Sequence, residues 1–374
     1  MRELNRTERD RLCCLYAVRH SVPRQRKLFS AIPDPGEILA LVRRGRTEHL
    51  QFLRPEVLSR LIEASRDGFA DRIMEKLTML GADVVFFEDA DYPVLLKEIS
   101  DPPAMLFYKG RLPEQDRLSL AVVGTRRASG YGIEAAKHIA HELAGADTLI
   151  VSGLALGIDT AAARGALEAD TSGCVTAAVL GCGIDVLYPR ENRALFDEIA
   201  ERGVIISEFW PATGPERYFF PIRNRIMTGM TRGTLVVEAG ERSGARITAR
   251  LAREEGREVF AVPGRIFDPA SVGTNEMIRM GEAIPVASAE HILAEFGIVD
   301  RSMGHIERRG TRTDDLSDGE KRVVAVLRDG EKTFDEIADE TELPAGMLNS
   351  YLTALEFSGI MKQLPGRMYE LIRT

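Results

Sequence analysis

The sequence has few of the residues on which metal sites and disulfide frameworks depend. Its 374 residues include four cysteines and six histidines, and no two cysteines stand in a CxxC pair. We therefore expect neither a metal site nor a disulfide, and a reducing cytoplasm as the compartment. No apolar run approaches the roughly 18 residues of a membrane helix. The first residues lead into no apolar signal core, so we expect neither membrane insertion nor export.

Motifs of common enzyme classes are also missing. The chain has no Walker loop, no HExxH motif, no Ser–His–Asp order and no paired carboxylate motif. None of its histidines lies in the glycine-rich loops discussed below, so these loops offer no general base with a near-neutral pKa. We expect a binding protein that uses no cofactor, rather than an enzyme.

Charge is distributed unevenly along the chain. The formal net charge is −8, which by itself argues mildly against a nucleic-acid ligand because phosphate repels a negative surface. Residues 211–257, however, contain nine Arg, no Lys and five acidic residues. Residues 316–374 have the opposite bias, with seven basic and eleven acidic residues. A basic segment within an acidic protein predicts a local anion site.

Four segments can be distinguished along the chain. Residues 1–89 are predicted to form a helical N-terminal domain, because apolar residues recur at spacings of three and four. Residues 90–299 alternate short apolar strands with helical runs, which predicts an α/β domain with a mostly parallel sheet and helices on both faces. Residues 300–315 are a polar linker. Residues 316–374 contain three helical runs and a hairpin around Pro365-Gly366, an order typical of a winged helix.

The strands of the α/β segment determine where a ligand is expected. They are predicted at residues 118–123, 148–151, 175–180, 204–206, 235–237 and 259–262, with helical runs such as 133–143 and 247–255 between them. The stretch 91–110, interrupted by three prolines, is expected to be a connector packed on this domain. Ligands of such sheets bind at the carboxyl ends of the strands, so the loops that follow the strands are the candidate site.

The first of these loops, residues 123–132, contains Gly124, Thr125 and Arg126. Its glycines let the backbone approach a ligand, and the N–H groups at the start of the following helix attract anions. The loop lacks the Gly-x-Gly-x-x-Gly spacing of dinucleotide sites. An anion site and a plain tight turn are the two interpretations, and the presence of Arg127 favours the anion site.

The second loop contains Ser152, Gly153 and Gly157, and again connects a strand to a helix. Asp159 at the end of this loop is predicted to be the N-cap of the following helix. A catalytic carboxylate is the alternative interpretation of Asp159.

A third segment, residues 219–225, combines aromatic rings with guanidinium groups. Phe220 precedes Arg223, Asn224 and Arg225. Guanidinium forks suit phosphate oxygens, and an exposed ring offers a stacking face to an unpaired base. The alternative is that a Phe of this segment belongs to the core and that the arginines form salt bridges with carboxylates.

The fourth loop also joins a strand to a helix. It contains Arg242, Ser243, Gly244 and Thr248, and its two hydroxyls can hydrogen-bond near the start of the helix. Glu238 is expected to be the ion-pair partner of neighbouring arginines rather than a catalytic acid or base.

Eight short motifs occur in a fixed order and together carry a family resemblance. They are Tyr92-Pro93, Val123-Gly-Thr-Arg126, Ser152-Gly-Leu-Ala-Leu-Gly-Ile-Asp159, Tyr188-Pro189, Ser207-Glu208, Phe220-Pro-Ile-Arg-Asn-Arg225, Arg242-Ser-Gly244 and Gly273-Thr-Asn275. Each motif alone is common, but the ordered set, which covers roughly residues 90–290, is specific. On these motifs the chain resembles the bacterial DNA-processing protein A family (DprA, also called Smf).

The resemblance implies both a fold and a function. The fold is an extended Rossmann-like domain, flanked by an N-terminal helical domain of the SAM-like type and a C-terminal winged-helix domain. The function is sequence-independent binding of single-stranded DNA, which protects incoming DNA and helps to load RecA onto it in natural transformation and recombination. A cytoplasmic homodimer is also implied.

The resemblance further implies the residues of the site. Arg126 would contact phosphate, Phe220 would approach a base, and the other residues would shape, line or brace the pocket. The predicted DNA-binding residues are Gly124, Thr125, Arg126, Ser152, Gly153, Gly157, Phe220, Arg223, Asn224, Arg225, Arg242, Ser243, Gly244 and Thr248. The chain departs from the family pattern at Ala163, where a His is frequent, and at Arg242, where a Lys is frequent. The second departure keeps the charge, whereas the first removes a polar group.

Two other functions compete with this interpretation. Rossmann-like phosphoribohydrolases of the cytokinin-activating type also place glycine-rich loops around a phosphate, but they carry a Pro-Gly-Gly-x-Gly-Thr loop that residues 238–244 lack. The other competing function is that of a pure scaffold, in which the Arg-rich segment binds a protein.

In the winged-helix segment, the candidate recognition helix over residues 345–357 has no Lys or Arg. We therefore expect this segment to contact protein rather than duplex DNA.

Overall fold

The computed structural model describes residues 3–19, 21–171, 173–298, 317–328, 330–341, 343–357, 360–364 and 368–371. Contacts between residues divide the chain into two compact units, Met1–Gly297 and Ile298–Thr374. The linker predicted over residues 300–315 lies outside the described residues.

Helices occupy the N-terminal part of the first unit. They are α1 (Arg6–Val18), α2 (Val22–Ala31), α3 (Pro35–Arg43), α4 (Pro55–Ala64) and α5 (Phe69–Met79). α1 begins with a capping box, in which the Asn5 side chain accepts from Glu8 N and the Glu8 carboxylate accepts from Asn5 N. Leu12, Leu15 and Val18, spaced by three, are buried. The predicted helical character is confirmed for this region.

A nine-stranded sheet follows in the same unit. Its strands are β1 (Asp83–Phe86), β2 (Met105–Gly110), β3 (Ser119–Val123), β4 (Leu149–Ser152), β5 (Thr176–Leu180), β6 (Val204–Ser207), β7 (Gly233–Val236), β8 (Glu258–Ala261) and β9 (Ile284–Pro285). The spatial order is β1-β2-β6-β5-β4-β3-β7-β8-β9. β2 is antiparallel to β1 and β6, and the other pairs are parallel. The mostly parallel sheet and the predicted strands are confirmed.

The expectation that residues 91–110 are only a connector is wrong. Their second half is β2, which pairs with β6 from Phe107↔Ser207 to Gly110↔Val204. β1, in the segment predicted to be helical, pairs with β2, so the sheet begins before residue 90. β2 pairs with β6, which lies far along the chain, and local sequence patterns cannot predict such a long-range pairing.

Helices cover both faces of the sheet, as predicted. They are α6 (Val94–Lys97), α7 (Gly130–Gly145), α8 (Ile158–Glu168), α9 (Arg193–Arg202), α10 (Phe219–Gly229), α11 (Gly244–Glu254), α12 (Val272–Arg279) and α13 (Ala289–Glu295). Ala178 and Leu180 of β5 belong to one apolar cluster, and Ala177 and Val179 belong to another. Since successive residues of a strand point to opposite faces, both faces of β5 are buried. This is why the strand is a continuous apolar run in the sequence.

The described residues of the second unit form three helices and a small sheet. Its elements are α14 (Asp318–Leu327), β10 (Lys332–Thr333), α15 (Phe334–Thr341), α16 (Ala345–Phe357), β11 (Met361–Leu364) and β12 (Met368–Leu371). The strands are antiparallel in the order β10-β12-β11, and Leu348 and Tyr369 belong to one apolar core. The predicted winged helix is confirmed, although the hairpin turn at Pro365-Gly366 lies outside the described residues.

Candidate functional site

The order of the strands places a cavity at the carboxyl edge of the sheet. From β3 the chain first builds β4, β5 and β6 on one side, and then builds β7, β8 and β9 on the other side. The loops after β3 and β7 therefore diverge and leave a crevice of the kind that binds ligands in such sheets. A cavity of about 530 Å³ lies there.

Most of the predicted site residues line this cavity. They are Gly124, Thr125, Arg126, Phe220, Arg223, Asn224, Arg242, Ser243, Gly244 and Thr248. Ser152, Gly153, Gly157 and Arg225 are not among the lining residues. Met227 also lines the cavity and is not in the predicted set. Helical periodicity would have found it, because it lies four residues after Arg223 and therefore on the same face of α10.

Two glycines outside the lining support the loops that form it. Gly157 has a φ of +80°, and a Cβ there would overlap the Thr125 carbonyl oxygen. Gly153 lies against the Arg223 guanidinium, and a Cβ there would overlap it as well. Ser152 is fully buried at the end of β4. These positions determine how closely the loops after β3 and β4 approach each other and α10.

Arg223 is the buried positive charge of the cavity, with only 5% of its surface exposed. Its Nη1 donates to the carbonyl oxygens of Gly153, at 2.8 Å, and Val179, and its Nε donates to Asn224 Oδ1 at 3.0 Å. Asn224 donates in turn from Nδ2 to Thr248 Oγ1 at 3.0 Å. This chain of hydrogen bonds joins α10 to α11 and to the loop after β4, so it holds the wall of the cavity in place.

Burial perturbs the two charged groups that lie deepest in this wall. It lowers the pKa of Arg223 to about 10, although the nearby Asp159 carboxylate opposes the change. It raises the pKa of Asp159, against attraction by Arg223 and hydrogen bonds from the backbone N–H groups of Ala155 and Gly153. A guanidinium with a pKa of about 10 is charged at neutral pH, so the cavity retains a positive charge behind its surface.

Exposed groups add charge and a flat surface to the cavity. Arg126 and Arg242 are exposed, and the Arg126 guanidinium carbon lies 5.1 Å from the centre of the Phe220 ring, close enough for a cation–π attraction. α11 begins at the cavity with Ser243 as its N-cap, whose hydroxyl accepts from Ala245 N at 3.3 Å. The first N–H groups of a helix carry a partial positive charge. Guanidiniums, a ring and a helix N-terminus therefore meet in one place.

The two phenylalanines at the start of α10 have different environments. Phe219 is buried, and its ring centre lies 4.3 Å from that of Phe209, so it belongs to the core. Phe220 is partly exposed and lines the cavity. The core interpretation of this segment therefore holds for the first ring. The second ring lies at the cavity, and its stacking on a base stays a prediction.

The prediction that Asp159 is an N-cap is wrong. The chain turns at Gly157, with its positive φ, and α8 begins directly after it at Ile158. Asp159 thus lies inside the first turn. Its Oδ2 accepts from Gly153 N at 3.0 Å and from Ala155 N at 3.4 Å. The carboxylate points back to the loop after β4 instead of capping its own helix, and it lines the cavity.

The prediction that Glu238 pairs with arginines is also wrong. This residue is buried after β7, and its carboxylate accepts hydrogen bonds from the Ser129 backbone N–H at 2.9 Å and from the Ser129 hydroxyl. Ser129 Oγ accepts in turn from Gly132 N at 3.0 Å and so caps α7. Because β3 and β7 are neighbours in the sheet, Glu238, which follows β7, holds the start of α7, the helix that follows β3.

Arg225 projects from α10 away from the cavity. Its Nη2 donates to both carboxylate oxygens of Glu208, at 2.7 and 2.6 Å, and its Nε lies 3.8 Å from Asp101 Oδ2. Burial raises the pKa of Glu208 to about 7, although Arg225 opposes the change. The salt-bridge interpretation therefore holds for Arg225. Glu208, which the sequence shows only as part of a motif, is the residue that holds this guanidinium.

A second groove, of about 750 Å³, runs along α11 and borders the cavity. It shares Arg242 and Ser243 with the cavity and is also lined by Arg246, Arg250 and Arg253. Arg250 and Arg253 each form an exposed ion pair with a glutamate. Glu241, Glu254 and Glu282 line the groove as well, so arginines exceed glutamates only slightly along this groove.

Metal-binding clusters and membrane spans are not found among the described residues. No three His, Cys, Asp or Glu side chains there are grouped so that they could hold a metal ion. No helix in that part of the chain is both long enough and apolar enough to cross a membrane.

Comparison with known proteins identifies a family. Residues 83–297 match the family described as DNA recombination-mediator protein A, and residues 307–367 match the DprA winged helix domain. The chain is 45% identical over 208 residues to the DNA processing protein DprA of Streptococcus pneumoniae, which covers 56% of this chain and 72% of that relative.

Solved structures give the same result. The X-ray structure of DprA from Streptococcus pneumoniae superposes with a TM-score of 0.60 at 37% identity, covering 69% of this chain and 86% of that one. A Helicobacter pylori structure, described as showing the single-stranded DNA binding mode of DNA processing protein A, has a TM-score of 0.52 at 30% identity and covers 57% of this chain and 95% of that one. The family model, the relatives and the ordered motifs agree, and this chain therefore belongs to the DNA recombination-mediator protein A family, whose members are also named DprA or Smf.

Proposed function

We propose that this protein binds single-stranded DNA without sequence preference in the cavity at the carboxyl ends of β3 and β7. The observation that carries the proposal is the partly exposed Phe220 ring beside the Arg126 guanidinium, in a cavity that the buried Arg223 also lines. Guanidiniums bind phosphate, and an exposed ring stacks on an unpaired base. The Helicobacter pylori relative, described as having a single-stranded DNA binding mode, supports the same ligand.

Sequence independence follows from the kinds of contact that this cavity offers. Phosphate contacts carry no sequence information, and every base has a face that can stack on a ring. In this proposal Arg126, Arg223 and Arg242 supply charge and Phe220 supplies the ring. Arg225 acts as a brace for α10 through its pair with a buried carboxylate.

Family membership supports the wider biological role. We propose that the protein protects incoming DNA and helps to load RecA onto it during natural transformation and recombination. A homodimer in the cytoplasm is the form in which we propose that it acts. These parts of the proposal rest on the resemblance to the family rather than on a site in this chain.

The winged-helix unit has a separate role in the proposal, as a contact for protein rather than for duplex DNA. α16, in the position of a recognition helix, contains neither Lys nor Arg, whereas duplex binding depends on positive side chains near phosphate. Met347 on α16 is 50% exposed and offers an apolar contact. Binding of duplex DNA by the isolated unit at physiological salt would contradict this role.

An enzyme that hydrolyses nucleotides is the alternative, and the geometry does not favour it. Of the two acidic residues in the loop equivalent to that of the phosphoribohydrolases, Glu238 is buried against Ser129, and Glu241 is exposed and does not line the cavity. Asp159 is the carboxylate that lines the cavity, and it accepts hydrogen bonds from two backbone N–H groups. We therefore propose binding without catalysis. Release of free base from nucleoside monophosphates, in proportion to the amount of protein, would overturn this part.

Equilibrium binding to labelled oligonucleotides tests the ligand class directly. Fluorescence anisotropy would compare single strands of different sequence with a duplex of equal length, at increasing salt. The proposal expects similar affinities for all single strands, weaker binding of the duplex, and an affinity that falls steeply with salt. Binding that ignores salt, or that strongly prefers one sequence, would contradict it.

A further inference from the structure

Tyr188 stands beside the Phe220 ring, outside the cavity. The two ring centres are 5.7 Å apart and the ring planes are inclined by 43°. The Arg126 guanidinium also contacts Phe220, at 5.1 Å from the centre of its ring. Arg126, Phe220 and Tyr188 thus form a row of flat groups that begins in the cavity and ends at Tyr188. Tyr188 is 39% exposed.

Phe220 has little freedom to move away from this arrangement. A Cβ at Gly181 would lie 3.0 Å from Phe220 Cδ1, so the ring lies against the backbone that follows β5. With Arg126 and Tyr188 as its other neighbours, the ring is confined. Tyr188, of which 39% is exposed, is therefore the member of this row that extends it beyond the cavity.

The loop that carries Tyr188 is tied to the segment after β6. Gly183 N donates to Thr213 O at 2.8 Å, and the Asp185 carboxylate accepts from Ala212 N at 2.6 Å. Because these bonds hold the loop, the tyrosine ring is presented in a defined place. A ligand that stacks on a preorganised ring loses less of its binding energy to ordering the protein.

The position of this loop in the sheet sets the direction of the row. β7, β3, β4 and β5 are adjacent in that order, so Tyr188 lies on the side opposite to the β7 loop with Arg242. Three strand spacings of about 4.8 Å separate β7 from β5, roughly 14 Å in all. Stacked nucleotides are about 3.4 Å apart along a strand. A single strand that crosses the edge of the sheet from β7 to β5 therefore spans more than one nucleotide over this distance, and adjacent bases can reach Phe220 and Tyr188, whose ring centres are 5.7 Å apart.

We propose that Tyr188 forms a second nucleobase subsite, on which a base adjacent to the one at Phe220 stacks. The inference rests on the proposed single-stranded DNA ligand, and it extends the site along the sheet edge toward β5. Stacking accepts every base, so this subsite raises affinity without adding sequence preference.

Substitution of Tyr188 combined with abasic oligonucleotides tests the subsite. Tyr188→Ala should weaken binding to an intact oligo-dT by about 5- to 150-fold, the range for loss of one stacking contact. Tyr188→Phe keeps the ring and should bind like the unchanged protein. On the shortest oligo-dT that still binds with full affinity, where the strand cannot slide, a single abasic site at one position should weaken the unchanged protein by the same factor and should weaken Tyr188→Ala no further.

Fluorescence provides an independent readout of the same contact. The chain has one Trp, and Trp210 is 3% exposed, so in Tyr188→Trp a change of emission on adding oligo-dT reports on position 188. Quenching is the expected result, and the absence of any change at saturating DNA would contradict stacking there.

Three outcomes distinguish the subsite from the proposed function. Equal affinities of the unchanged protein and Tyr188→Ala for intact oligo-dT would overturn the subsite and leave the proposed function standing. A Tyr188→Ala protein that is insensitive to the abasic site at the same position as Phe220→Ala, or at no position, would show that Tyr188 stacks on no base of its own, and would also overturn the subsite. No binding of any single strand by the unchanged protein would overturn the proposed function, and the subsite with it.

Discussion

Replacement of Arg126 by Ala is the sharpest test of the proposed phosphate contact. The side chain is exposed and lines the cavity beside Phe220. A hydrogen bond from a charged group contributes about 1.5–3 kcal/mol, which corresponds to a loss of roughly 10- to 150-fold in affinity. Loss of one phosphate contact on a single strand also reduces the slope of log K against log salt by about 0.7. The loss should be equal for all sequences, because phosphate contacts do not read bases.

Anisotropy titrations at several salt concentrations measure both the affinity and the slope. Arg127→Ala is the matched control, since Arg127 is the exposed neighbour in the same loop and is not among the residues that line the cavity. It should retain most of the affinity and the slope. Arg126→Lys keeps the charge and should retain the slope, but it loses the planar fork and with it part of the affinity. Equal losses in the two alanine variants, or an Arg126→Ala protein with an unchanged slope, would refute the assignment.

Three further predictions concern the framework around the cavity. In urea unfolding at about pH 9, where the Glu208 carboxyl with its pKa of about 7 is ionised, Arg225→Ala should destabilise the protein by up to about 3–5 kcal/mol, because this charge stays buried without its partner; an unchanged midpoint would argue against this. Burial raises the pKa of Glu208 from 4.5 to about 7, so the Glu208 carboxyl binds a proton more tightly in the folded state than in the unfolded state. The protonated carboxyl therefore stabilises the fold fully below about pH 4.5, and this stabilisation is lost as the pH rises through 7. Glu208→Gln should therefore flatten the dependence of unfolding free energy on pH in this range, and parallel curves for the two proteins would contradict the reasoning. Gly157→Ala should lower stability by at least about 2 kcal/mol, because its φ of +80° and the Thr125 carbonyl leave no room for a Cβ, whereas Gly214→Ala, which has open space around it, should unfold near the original temperature.

Local patterns in the sequence are sufficient to predict most of the strands and helices of the fold. β3, β4 and β5 are buried throughout, so each is a short apolar run that ends at a polar or glycine-rich loop. The same patterns miss β1 and β2. β2 follows two prolines and ends in Tyr108-Lys109-Gly110, and its pairing with β6 depends on a segment far along the chain.

The partners of individual carboxylates are beyond the reach of such patterns. Asp159 and Glu238 each follow a strand and precede a helix, which suggests a cap for one and an ion pair for the other. In the structure Asp159 accepts from the loop after β4, and Glu238 anchors Ser129. These partners depend on which loops lie side by side at the edge of the sheet, and only the strand order decides that.

Family and fold class were thus determined by the sequence alone, because ordered motifs and apolar periodicity are local properties of the chain. Only the tertiary structure decided which side chains of a motif face the ligand. Arg223 and Arg225 lie two residues apart, and the sequence alone predicts the same role for both, as residues of the DNA-binding site. With 3.6 residues per turn, two positions on a helix differ in direction by about 200°. α10 therefore directs Arg223 to the cavity and Arg225 to Glu208.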